Sequence, residues 1–184
     1  MEIRITTSQI LKILLIISWV IFVGICIQAC GFIFNTFYTL VINPIDARYF
    51  WPKIDLSSLY DYDRGYFLVE TLLMTIVAIL KAIIFYLIIK ILHDKKLNVA
   101  QPFSNEVRRF ILKISYLALA IGLFSWWGIN YSEWFVKQGV KMPDARYLSI
   151  AGADVWLFMG VVLFVIAQLF KRGIEMQEEN ELTV

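Results

Sequence analysis

The sequence predicts an all-α polytopic membrane protein of four transmembrane helices, and three observations carry that reading. Apolar residues gather in four long runs, giving helices over about 10–41, 67–92, 104–130 and 150–172. Each run is close to or longer than the ~20 residues needed to cross a hydrocarbon core about 30 Å thick. Hydrophobic residues make up 60% of the chain and its mean hydropathy is +0.71, well outside soluble usage. The basic residues, Lys81 excepted, collect toward the ends of the runs and between them. With more than half of the 184 residues inside the membrane, no separate soluble domain fits, and residues 1–184 form one integral membrane domain.

The first run opens on Arg4 and Lys12, as a signal peptide would, and Ile27-Gln28-Ala29-Cys30 faintly resembles a lipoprotein cleavage site. The run is far longer than a 7–15-residue signal core and continues through Phe32, Ile33, Phe34 and Phe37, so a retained helix is expected. Orientation follows from the Lys/Arg bias. With the N-terminus inside, ten basic residues (Arg4, Lys12, Lys90, Lys95, Lys96, Arg108, Arg109, Lys113, Lys171 and Arg172) face the cytoplasm against six outside. Both termini are therefore expected in the cytoplasm, with outer segments at 43–66 and 131–149, an inner loop at 93–103 and an acidic tail at 173–184.

Within the spans, the polar residues to explain are Lys81, Gln28 and Glu70. A lysine at the centre of a span costs about 2.5–3.5 kcal/mol on insertion scales and is a functional suspect by default. Its structural alternatives are snorkelling toward the inner headgroups or a bond to Gln28 at similar depth. Glu70 shares its face three turns away, too far for direct contact. Cys26 and Cys30 share one helical face without the other ligands a metal needs, and they read as packing residues. No catalytic residue, metal ligand or cofactor is expected.

Asp46-Ala47-Arg48-Tyr49 after the first helix matches Asp144-Ala145-Arg146-Tyr147 after the third, each behind a proline. A two-plus-two parallel repeat would place the matching arginines to face an anionic ligand or headgroup, and two interfacial turns are the plainer alternative. The aromatic residues of 49–67 read as an interfacial belt, with a ligand pocket as the alternative.

The inner side carries the most specific grammar. Pro102 blocks helix from upstream, Ser104 suits an N-cap, and Arg108 and Arg109 follow on the first turn of the third helix. The tail mixes acids with apolar residues from Gly173 through Glu175, Gln177, Glu178, Glu179, Asn180, Leu182 and Thr183 to Val184. Anionic lipid repels such a segment, so it should project into the cytosol or dock on the basic loop. Pro102-Phe103-Ser104 and this tail resemble the YoaS-like bacterial membrane proteins, the family of unknown function DUF2975. Members are of similar length, have four predicted helices, and end on a Gly-x-x-x-Gln-x-x-Asn-Asp-Leu-Thr-Val-like signature, from which Glu181 departs while keeping the charge. The resemblance implies a bacterial inner membrane as the location, a frequent companion, a small helix-turn-helix regulator, and no known activity. The resulting expectation is a non-enzymatic regulatory protein that binds such a cytoplasmic DNA-binding partner, and itself no nucleic acid, through the inner loop and tail. Lipid and a second copy of the chain are further expected partners. The alternative is a small transporter, channel or ligand-binding protein that uses Lys81.

Overall fold

A computed structural model describes residues 7–94 and 103–182. Helix α1 spans Thr7–Val41, α2 Ser57–Tyr62, α3 Arg64–His93, α4 Asn105–Lys137 and α5 Ala153–Leu182, with a 3₁₀ turn at Pro44–Tyr49. Among the described residues there is no strand, and α1, α3, α4 and α5 are long and apolar enough to cross a membrane. Four helices in alternating direction place the start of α1 and the end of α5 on one face, here the terminal face. The opposite, connection face carries the segments joining α1 to α3 and α4 to α5.

Local chemistry sets the helix limits. Asp63 starts α3 by accepting from the Tyr66 amide at 3.0 Å, and Ser104 starts α4 by accepting from the Val107 amide at 3.3 Å. Hydropathy falls at Asn130, yet α4 runs on to Lys137, because no glycine or proline interrupts it before Gly139. It stops at Gly139, whose φ of +84° lets Val140 donate back to the Phe135 carbonyl in a Schellman turn. Likewise α5 continues past residue 172 to Leu182, supported by Glu175 against Lys171 at 3.8 Å and Arg172 at 3.4 Å.

The spans pack in the order α1, α3, α4, α5, and each rests mainly on its neighbour in sequence. The edge helices α1 and α5 are not packed along their lengths, and α1 leaves most of its apolar side chains exposed. The closest pair is α4 with α5. Ser115, Ala118, Gly122, Ser125, Gly128 and Ser132 recur every three or four residues and line the buried face of α4. Leu157 of α5 seats over Gly122, Leu119 seats over Gly160, and the Ser115 hydroxyl donates to the Gly160 carbonyl at 2.8 Å. Small residues allow this approach where lipid provides no hydrophobic drive for association.

Toward the connection face the core becomes aromatic. Phe32, Phe50 and Phe67 are fully buried, with ring centroids 6.0 and 5.8 Å apart in sequence. The Trp51 ring lies on Gly31, where a methyl group would collide with it. Phe50, Tyr60 and Phe67 thus build a core rather than a belt, while Tyr49 and Tyr62 are exposed.

The α4–α5 connection does not stay at the surface. Leu148 and Ile150 are fully buried, and Ile150 packs on Gly128, nine residues short of the end of α4. At 1.5 Å per residue, the chain has come back about 13 Å along α4. Left-handed φ angles at Ser149 (+62°) and Gly152 (+80°) turn it into α5, which therefore begins at Ala153 rather than 150.

Candidate functional site

The re-entrant connection meets the intramembrane polar residues. Lys81 Nζ donates to the Ser149 carbonyl at 2.8 Å and sits 5.8 Å from the centre of the Trp156 ring. Gln28 donates from Nε2 to the Ser149 hydroxyl at 2.7 Å. Because a helical side chain leans toward its own N-terminus, Lys81 on α3 reaches toward the connection face, not away from it. The expected alternatives, inner headgroups or Gln28 itself, give way to a third: Lys81 and Gln28 share Ser149. One residue thereby ties α1, α3 and the α4–α5 connection together.

Glu70 belongs to a separate cluster. It is fully buried on α3, where Oε1 accepts from the Ser132 hydroxyl at 2.8 Å and Oε2 has no partner among the described residues. Cys26 and Cys30 line an apolar cleft of about 320 Å³ between α1 and α3, and no cluster of three metal-ligating side chains occurs among the described residues.

The two Asp-Ala-Arg-Tyr segments differ in conformation. The first is a 3₁₀ turn, with Asn43 accepting from the Ile45 amide and Asn43 Nδ2 3.4 Å from Asp46. The second is an Asx turn in which Asp144 accepts from the Arg146 amide at 2.8 Å. Arg146 also pairs with Asp144 at 3.9 Å, whereas Arg48 lines a cleft with Tyr49 and Lys53. Lys53 lies 5.6 Å from the Tyr147 ring centre, so the two connections meet through that pair rather than through the arginines.

On the terminal face α4 and α5 bring the sequence-derived candidates together. Phe103 packs on Gly173 and against Phe170, with ring centroids 5.3 Å apart. A cleft of about 180 Å³ is lined by Asn105 and Arg108 from α4 and by Lys171, Ile174, Glu175 and Glu178 from α5. Gln177 and Glu179 lie on the exposed side. Arg108 and Arg109, adjacent in sequence, part company: Arg108 faces the end of α5, and Arg109 turns into a cleft against α3. Asn180 and Leu182 continue the helix, while Pro102, Thr183 and Val184 lie outside the described residues. Phe103→Ala removes this clamp. Losing roughly half of a buried phenylalanine is worth about 1 kcal/mol, so amide exchange over residues 173–179 should quicken about fivefold while the spans stay protected.

Sequence reasoning did not single out Ser149, Trp156 or Ser132. The three- and four-residue spacing of small residues on α4 is the signal that could have found Ser132; nothing local points to Ser149, whose role depends on the connection turning inward.

Four packed helices long and apolar enough to span a membrane, with polar clusters buried among them, define a polytopic α-helical membrane protein. The chain belongs to the family described as protein of unknown function (DUF2975), whose sequence model matches residues 38–184. The match takes in both connections, α3 to α5 and the C-terminal segment. No curated protein and no solved structure matches the chain.

Proposed function

We propose that this protein is a membrane-embedded docking protein whose terminal face lies in the cytoplasm of a bacterium, in the inner membrane, and holds a small basic DNA-binding protein. The observation that carries this is the continuation of α5. About 20 residues from Ala153 suffice to cross the hydrocarbon, so about three helical turns after Arg172 stand beyond it. They are clamped on α4 by Phe103 and end in a run rich in glutamate. A preformed acidic helix loses little entropy on binding and complements a surface made for phosphate. The ten-to-six distribution of basic residues supports an inside position for this face. Against the transport reading stands Lys81, whose ammonium is engaged within the chain by Ser149 and Trp156. No catalytic role is proposed.

A photo-crosslinking residue at Gln177, compared in intact cells with one at lipid-facing Val155, tests the assignment. Position 177 should capture a small basic DNA-binding protein that duplex DNA displaces and that truncation before Glu175 abolishes. Capture of lipid alone, or a partner retained after truncation, would overturn it.

A further inference from the structure

Where α3 and α4 approach the terminal face, they enclose a cleft of about 210 Å³. Each helix offers one face to it, at positions i, i+3, i+4 and i+7. From α3 come Leu87, Lys90, Ile91 and Asp94; from α4 come Glu106, Arg109, Phe110 and Lys113. The helices are antiparallel, so these residues sort by depth. Asp94, just past the end of α3, and Glu106, in the first turn of α4, lie at the mouth. One to two turns further in lie Lys90, Arg109 and Lys113, none of them ion-paired among the described residues. Leu87, Ile91 and Phe110 supply the apolar part of the wall. Among the described residues, the cleft read from its outer end is acidic, then basic, then joined to the apolar part of the helices.

We propose that this cleft is a phospholipid site that reads an ethanolamine-type headgroup. Such a lipid presents its charges in the complementary order: a primary ammonium outermost, a phosphate beneath it, and acyl chains below. Arg109 offers a planar fork suited to two phosphate oxygens, flanked by Lys90 and Lys113 as point charges. Glu106 and Asp94, the latter 3.8 Å from its neighbour His93, accept from the ammonium. Among the described residues, a free phosphate entering from the outer end meets the two carboxylates first, which disfavours it. A choline headgroup carries the same charges but has no N–H to donate. The site lies on the side of α4 turned away from the α5 extension, and the proposal is independent of any protein partner.

The test uses the full chain in detergent, with lipid adducts counted by native mass spectrometry. Phosphatidylethanolamine, phosphatidylcholine and phosphatidylglycerol are supplied at equal concentration, with and without excess inorganic phosphate. The wild type should retain the ethanolamine lipid over the choline lipid by roughly tenfold, the effect of a hydrogen bond to a charged group. Arg109→Gln/Lys113→Gln should lose all three lipids toward background. Glu106→Gln should keep phospholipid binding but lose the preference for ethanolamine and shift toward phosphatidylglycerol. Thermal unfolding of each variant without lipid checks that the fold is kept. Equal retention of ethanolamine and choline lipids, indifference to both variants, or displacement by inorganic phosphate would overturn the proposal.

Discussion

Gly122→Leu should be the most damaging single change in the membrane core. A side chain there meets both the Leu157 side chain and the α5 backbone, so it must push α5 off α4 along their whole shared face. Overpacking costs about 3 kcal/mol at the upper end of its usual range, and here no flexible side chain alone can yield. Gly160→Leu should behave alike, since it meets Leu119 and the α4 backbone. Gly24→Leu is the control, because nothing lies within 4 Å of that glycine and leucine is the better helix former. Unfolding in mixed micelles should show a large loss for the first two and none for the third. Leu157→Ala in the Gly122→Leu background should recover part of the loss, which would locate the damage in that one contact.

Lys81→Met should give two effects of opposite sign. An isolated α3 segment should insert more readily, by up to about 2.5–3.5 kcal/mol on the insertion scale. The assembled protein should nevertheless be weaker by about 1.5–3 kcal/mol, because the Ser149 carbonyl loses a charged donor. Residues 148–152 should then exchange their amides faster. Ser149→Ala separates the two bonds on that residue. It keeps the carbonyl for Lys81 and removes only the hydroxyl that accepts from Gln28, so it should match Gln28→Leu, at about 0.6–1.7 kcal/mol. If Lys81→Met weakened insertion, or left 148–152 as protected as before, Lys81 would not be the fastening described.

The spans were legible because hydropathy reports where a helix meets lipid. Helix ends were less so, since α4 runs past the fall in hydropathy at Asn130 and α5 past Arg172 for reasons hydropathy does not measure: no glycine or proline between Asn130 and Gly139 in one, and ion pairs at Glu175 in the other. Lys81 and Gln28 stood out as polar residues at matching depth, and they do converge. What joins them was hidden, because Ser149 belongs to a segment that composition places at the surface. Two left-handed residues and the burial of Leu148 and Ile150 bring it inward, and none of these has a signature in the local pattern. Arg108 and Arg109 show the same limit at smaller scale: a rotation of 100° per residue sends neighbours to different helices.

The bond between Lys81 and Ser149 also sets a timetable for biosynthesis. The two residues are 68 positions apart, with the lysine first. At 5–20 residues per second, α3 carries its ammonium toward the membrane roughly 3–14 s before the ribosome has made the acceptor. Throughout that interval the nascent chain holds an unanswered charge, which favours a stay at the translocon over release into lipid. Completion of the last hairpin removes it, so a chain interrupted before residue 149 stays chemically marked as unfinished.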